Sequence, residues 1–318
     1  MKKLFLTLLL AFYTVISFGQ SKIFLTEGYG ETEDETRMEY YILSKAGKSN
    51  GTVFKHTIYF LDGSIHRTYE TIKPKYYNAK EGQFVSYFKN GNKSDEGEYA
   101  DSKKVGMWKA YHENGNLNLE YKVQYDKKSG IPSMLFVNGW DEDGNQTLKD
   151  GEGQIKHTIY PNNARKKYTE EGKVQNSLKQ GLWNGVFASE EKYFEENYKK
   201  GKLIKGVSWD EKANEYDYKV PESPATYPKG MVSFYNFLGI NMRYPSDAKK
   251  NDVQGKVYVQ FVVLKSGKLS DFKILRGVSP SIDKETLRVL KKAPKWKPGR
   301  MKGQTVKQRM VLPVSFRL

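Results

Sequence analysis

The 318-residue sequence contains no cysteine and only four histidines. Without cysteine there is neither a disulfide framework nor a thiol nucleophile, so stability has to come from sheets and cores alone. His56, His66, His112 and His157 are scattered without zinc-ligand spacing. His-Glu-x-x-His, Gly-x-Ser-x-Gly and phosphate-cradling glycine loops are all missing. These absences point away from the common hydrolase, metalloenzyme and nucleotide-binding classes, and the expectation is a non-enzymatic protein with no cofactor and no metal. Beyond the first twenty residues, no apolar run approaches the ~20 residues of a membrane-spanning helix.

What is present begins with Lys2 and Lys3, an uncharged run from Leu4 to Phe18, and Gly19 before Gln20. A basic start, a short apolar stretch and a small exit residue describe a secretory signal peptide, residues 1–19, cleaved after Gly19. The expected mature protein is exported, periplasmic or envelope-associated, and at most peripheral to a membrane; uncut, the same segment would be an inner-membrane anchor. The chain is long enough for about two domains. Its net charge of +16 is concentrated at one end, because residues 231–318 hold 19 Lys and Arg against 5 Asp and Glu, a net +14. Such concentrated charge either steers toward acidic proteins, anionic lipid or nucleic acid, with a secretory start arguing against nucleic acid, or merely keeps a basic domain soluble.

The neutral middle repeats itself. Gly82, Phe84, Tyr87 and Asn90-Gly91 return 24 residues later as Gly106, Trp108, Tyr111 and Asn114-Gly115, and a further unit opens at Gly181-Leu-Trp183-Asn-Gly185. Alternating aromatics followed by Asn-Gly signal β-hairpins, with both central turn residues at positive φ if the turns are type I′. One hairpin buries no core, but stacked hairpins do. The aromatics therefore read as inter-strand packing or as a ligand-stacking surface. Asp141-Glu-Asp143-Gly144-Asn145 reads as a polar hairpin tip or, with Asp150, as an imperfect calcium loop. The Gly-x-aromatic-x-x-Tyr-x-x-Asn-Gly unit resembles the MORN repeats, which implies a structural or binding platform and not catalysis.

Pro221, Pro224 and Pro228 mark residues 219–230 as an extended connection between a repeat domain at 20–218 and a module at 231–318. In that module Val257, Val259, Phe261 and Val263 share one strand face. Ser279 and Pro280 open a helix with Ile282, Thr286, Val289, Leu290 and Ala293 on one stripe, and Pro294 ends it. Trp296 reads as a core plug before the Pro298-Gly299 turn. In the last strand Val306, Met310, Leu312, Val314, Phe316 and Leu318 alternate with polar residues, and Pro313 requires an edge or a bulge. An open edge either accepts an extended peptide as an added strand or is a protected edge guarded by Lys307 and Arg309.

From Tyr244-Pro245 through Trp296-Lys-Pro-Gly299 to the terminal strand, residues 231–318 resemble the C-terminal domain of the TonB family. The resemblance implies partner contacts at Tyr244 and Pro245 and at Thr305, Val306, Lys307, Gln308 and Arg309, where family members receive a receptor segment. The partners it implies are a TonB-dependent outer-membrane receptor or another envelope protein and, with residues 1–19 uncut, motor proteins resembling ExbB and ExbD. Asn241-Met-Arg243 replaces the family's Gln-Pro-Gln lead-in, and the repeats stand where a long Pro-rich stalk would. The expected fold is a mostly β repeat domain of stacked β-hairpins plus a small α+β C-terminal domain of about three antiparallel strands and two helices. The expected function is transport-linked binding by β-strand addition. The competing readings are a structural or interaction protein acting through its repeats, and a polysaccharide binder acting through their aromatics.

Overall fold

The computed structural model describes residues 23–25, 38–46, 53–72, 80–127, 130, 132–160 and 167–318. The expected signal peptide, residues 1–19, lies outside them. Two compact units are present, Met1–Lys166 with Asn176–Leu178, and Lys167–Gln175 with Lys179–Leu318. The expected division near residue 218 falls inside the second unit.

The first unit holds Ile23–Leu25 (β1), Tyr40–Ala46 (β2), Phe54–Phe60 (β3), Ile65–Thr71 (β4), Lys80–Tyr87 (β5) and Lys93–Ala100 (β6). Lys103–Tyr111 (β7), Leu117–Tyr125 (β8), Pro132–Trp140 (β9), Gln146–Lys149 (β10) and Glu152–Ile159 (β11) complete it. The second opens with Tyr168–Gln175 (β12), Leu178–Phe187 (β13), Lys192–Lys199 (β14), Lys202–Trp209 (β15) and Glu215–Tyr218 (β16). These sixteen strands follow one another as antiparallel hairpins in sequential order, the arrangement a hairpin repeat demands.

The turns depart from expectation. Asn90-Gly91 and Asn114-Gly115 are not the centres of type I′ turns, since only the glycines are left-handed, Gly91 at φ 89° and Gly115 at φ 93°. Each lies in a three-residue loop in which the Gly91 N–H donates to Phe88 O at 3.0 Å and the Phe88 N–H to Asn92 O at 2.8 Å, a tight turn closed by a glycine bulge. The asparagines are used differently. Asn90 and Asn92 both donate to Glu113 O of the next turn at 2.7 and 2.8 Å, and Asn114 and Asn116 to Glu142 O at 2.8 Å each. The third member of this row is the suspected calcium loop. Its Asp141 carboxylate accepts the Asp143 N–H at 3.1 Å, the Asn145 N–H at 2.8 Å and the Asn145 amide at 3.0 Å, which makes it a polar hairpin tip. At the opposite strand ends some loops have two residues, both left-handed, as in Asp101-Ser102 and Asp150-Gly151.

Of the repeated aromatics, the Phe and Trp positions are core, while Tyr87 and Tyr111 are half-buried. Phe84, Trp108 and Trp183 are buried, and the two indoles lie flat on strand glycines. A Cβ on Gly97 would stand 2.4 Å from the Trp108 ring, and one on Gly172 2.4 Å from the Trp183 ring. Both indole N–H groups donate to backbone, Trp108 to Glu98 O at 3.2 Å and Trp183 to Lys173 O at 3.0 Å. Glycine opposite a large ring is how one strand face accommodates a tryptophan without a second sheet.

The second unit continues with Glu222–Ser223 (β17), Gly230–Asn241 (α1), Ser246–Lys250 (α2), Gly255–Val263 (β18), Leu269–Arg276 (β19), Pro280–Lys291 (α3), Gly299–Met301 (β20), Gln304–Val306 (β21) and Gln308–Phe316 (β22). Two three-stranded sheets result, in the orders β17-β20-β21 and β19-β18-β22. Val257, Val259, Phe261 and Val263 are fully buried, as their alternation predicts, against Ile282, Thr286, Val289 and Leu290 of α3. Ser279 caps α3 through its Oγ, which accepts the Ile282 N–H at 3.4 Å, and Pro280 takes the first turn. Trp296 plugs the core, with ring centroids of Phe234, Phe261 and Tyr227 at 5.2, 5.5 and 5.7 Å. The structure adds α1 to the two expected helices. The Pro-containing segment is built in as well, with Glu222 paired to Met301, Thr226 bridged to Lys297, and Ala225 and Tyr227 buried.

Candidate functional site at the β22 edge

β22 pairs with β18 in an unbroken register from Gly255↔Phe316 to Val263↔Gln308, and among the described residues no strand of its sheet lies on its other side. Pro313 stands inside that ladder opposite Tyr258 without disturbing it. A proline is tolerated where its missing N–H would face away from the partner strand. Backbone direction alternates along a strand, so Val311 and Ser315 turn their N–H groups the same way as Pro313, toward the free edge.

Beside this edge runs a groove of about 360 Å³, with α1 and its exit forming one wall and the end of β22 the other. Tyr235, Leu238, Gly239, Met242 and Tyr244 line the first wall, and Pro313, Val314, Ser315, Phe316 and Arg317 the second. Leu238, Val314 and Phe316 are buried and make an apolar floor. Gly239 has nothing within 4 Å of where a Cβ would be, so the helix presents open space there. Outside the groove lining, α1 also exposes Val232 (75 % exposed) and Ile240 (83 %), and β22 exposes Val311. An apolar floor next to unpaired main chain suits an extended peptide, whose backbone the edge can bond and whose alternate side chains the groove can bury.

The α1 wall is held from three sides. Phe234 and Leu238, one turn apart, bury the inner face of the helix, Phe234 against Trp296. Arg288 of α3 donates to Asn241 O at 2.8 Å, a cation at the negative end of α1. The same Arg288 makes a two-pronged bond to Glu285 at 2.7 Å each, and Glu285 also accepts the Arg243 N–H at 2.7 Å. The bonds from Arg288 hold the Glu285 carboxyl below the ordinary glutamate range. Tyr244 donates to Val253 O at 2.7 Å and sets its ring edge-on to Phe316 at 5.8 Å, which closes one end of the groove.

The seven residues singled out in the sequence fall in separate places. Tyr244 lines the groove, and Pro245 precedes α2 as its cap residue. Thr305 and Val306 belong to β21, paired with Arg300 and Gly299 in the smaller sheet. Lys307 is the exposed link to β22. Gln308 and Arg309 begin β22, and the Gln308 side chain accepts the Ala225 N–H at 2.5 Å. Sequence reasoning reads Pro313 as the mark of an edge or a bulge but assigns no contact to α1 or to the Pro313–Arg317 segment. Phe234 and Leu238 at helical spacing were the available signal for α1, and Pro313 itself was the signal for the edge.

Residues 240–318 match the family described as Gram-negative bacterial TonB protein C-terminal. The matched segment runs from the end of α1 through β22 and contains the β18–β22 pair and one wall of the groove. This domain occurs in envelope proteins linked to transport, and the family is in general non-enzymatic. No curated protein matches the chain at a significant level. The sequential hairpins upstream agree with the MORN-like reading of the repeats.

Proposed function

We propose that this is an exported, TonB-like envelope protein that binds an extended segment of an outer-membrane transporter, or of a protein associated with one, by β-strand addition along β22. The observation that carries the reading is the free edge of β22 lying beside the apolar groove under α1. Main-chain bonds to the edge supply affinity, and the groove between Tyr235, Gly239 and Phe316 supplies side-chain selectivity. Val311, Ser315 and Arg317 are the contacts assigned to the bound segment, with Tyr244 fixing the groove end. Lys307, Arg309 and Arg317, exposed along the same strand and its approaches, favour an acidic or neutral partner segment over a basic one. In this reading residues 1–19 direct export and are removed, and the hairpins at 20–218 take the place of a stalk.

Two proline substitutions test it. Val311→Pro and Ser315→Pro each remove an edge N–H with the same outward bearing as Pro313 and leave the β18 ladder its donors. The expected outcome is loss of co-purification with outer-membrane transporters and loss of transport, with the melting temperature little changed. Association that survives both substitutions in a folded protein would overturn strand addition and favour a protein that works through its hairpins. The burial of Phe84, Trp108 and Trp183 already removes the most prominent repeat aromatics from any glycan-stacking surface.

A further inference from the structure

The hairpin region carries a second repeated element, Lys-x-Gly-x-aromatic, at Lys80/Gly82/Phe84, Lys104/Gly106/Trp108 and Lys179/Gly181/Trp183. In each case the lysine ammonium sits over the ring four residues on, at 5.0 Å from Phe84, 3.8 Å from Trp108 and 4.0 Å from Trp183. Burial pulls the Lys104 ammonium below its ordinary range, and that of Lys80 down to about 8 with help from the nearby Arg67 and Lys104 cations. Attraction to the ring faces offsets part of that cost.

The last aromatic layer lacks such a lysine of its own. Phe194 lies on Gly185 and Tyr218 on Gly206, but β16 ends the hairpins at Tyr218. The cation over Phe194 comes from the far end of the chain. Lys302 Nζ stands 3.4 Å from the ring centroid and 2.6 Å from Glu196 Oε1, with the lysine side chain 12 % exposed and the glutamate 1 %. Glu196 is held in turn by the hydroxyls of Tyr218 at 2.7 Å and Tyr198 at 2.9 Å. A buried ion pair is tolerated only when hydrogen bonds complete it in this way.

Lys302 occupies the tip of the β20–β21 hairpin, and the rest of the tip is fitted as closely. Lys302 and Gly303 are both left-handed, the two-residue turn the hairpins themselves use at Asp101-Ser102 and Lys200-Gly201. Ser208 donates to Lys302 O at 2.6 Å, and the Gln304 amide donates to Ser208 Oγ and Trp209 O at 3.0 Å each. A Cβ on Gly303 would come within 3.1 Å of Asp217 O at a left-handed φ of 77°, so a side chain there would push the turn away from β16 by a few tenths of an ångström.

We propose that the β20–β21 turn is the carboxy-terminal cap of the hairpin array, with Lys302 standing in for a repeat lysine, and that this seat fixes the bearing of β22 against β12–β16. The cap covers the face of the last hairpins that carries Phe194 and Glu196, as terminal caps of repeat arrays cover the last layer. It also makes the connection to the TonB-like domain stiff, so a load on β22 passes through β20–β21 into the hairpins, whatever segment β22 binds.

The test uses the full chain, which has no native cysteine to compete for labels. Nitroxides on Lys212→Cys, in the β15–β16 turn, and Lys249→Cys, in α2, report the spacing by pulsed electron spin resonance. The unaltered interface should give one narrow distance peak, and Lys302→Met should lose it to a broad distribution while amide protection in β7–β8 persists. A peak that stays narrow in Lys302→Met overturns the proposal. If Lys302→Met unfolds the chain, Glu196→Gln, which removes the charge and keeps one carbonyl acceptor where the carboxylate offered two, is read in the same way.

Discussion

The hairpin array and the C-terminal module bury their aromatics by opposite means. In the array the repeat rings find their partners nearby in sequence, Phe194 under Lys302 excepted: Trp108 lies on Gly97 of the preceding strand and under Lys104 of its own. In the module Trp296 gathers Tyr227, Phe234 and Phe261 from segments up to 69 residues away. The first arrangement is local and additive, the second global and cooperative. A repeated local unit makes a long, uniform scaffold. A single shared core makes a rigid frame on which one strand edge can be left open, and β22 is that edge.

The largest effects should come from the rings themselves. Trp296→Ala and Trp108→Ala should each cost about 3 to 5 kcal/mol. The first is expected to abolish amide protection throughout β18, β22 and α3, and the second only in β6–β8. Hydrogen exchange resolved by peptide would read the difference, and array-wide loss from Trp108→Ala would show that the hairpins unfold as one cooperative body.

Acid should act on the array next. His56 is buried against Thr71, to which its ring bonds at 2.8 Å, and burial pulls its pKa down from 6.5 to about 4. The folded chain therefore keeps His56 neutral while the unfolded chain takes up a proton below pH 6.5. Its contribution is fully present above that value and is lost as the pH falls toward 4, on the order of 3 kcal/mol in all. Denaturant titrations at pH 7 and pH 4.5 should show it, and His56→Gln should flatten that part of the profile.

Glycines sharpen the contrast. Gly172→Ala drives a Cβ to 2.4 Å from the Trp183 ring and should cost roughly 1 to 3 kcal/mol. Gly239→Ala in α1 meets nothing within 4 Å and should add about 0.5 to 1 kcal/mol. Equal effects would mean that the array does not depend on ring-over-glycine packing. The smallest change, about 1 kcal/mol, is expected from Ser279→Ala at the α3 cap, seen as a modest fall in melting temperature.

Much of this was legible in the residues. The buried face Val257–Val263, the Ser279-Pro280 start of α3, the Trp296 plug and the hairpin repeats all follow from local periodicity, which is a property of neighbouring residues. The turn class did not follow, because Asn-Gly serves equally in a two-residue turn and in a three-residue loop, and the choice was made by bonds from Asn90 and Asn92 to the next turn. Helix α1 was hidden because its apolar residues run all round it: Met231, Phe234, Phe237 and Leu238 pack inward while Val232, Tyr235 and Ile240 stay exposed, which blurs the helical period. The Lys302–Glu196 pair spans 106 positions, and no pattern within either segment announces the other.

The most direct test of strand addition is site-specific photo-crosslinking in the native envelope, with a photoreactive residue replacing Ser315 on β22 or, for comparison, Met107 on the array. Crosslinks from position 315 to an outer-membrane transporter, with none from position 107, are the predicted result. Crosslinks from 107 alone, or transporter capture at 315 that persists in the Val311→Pro background, would contradict it.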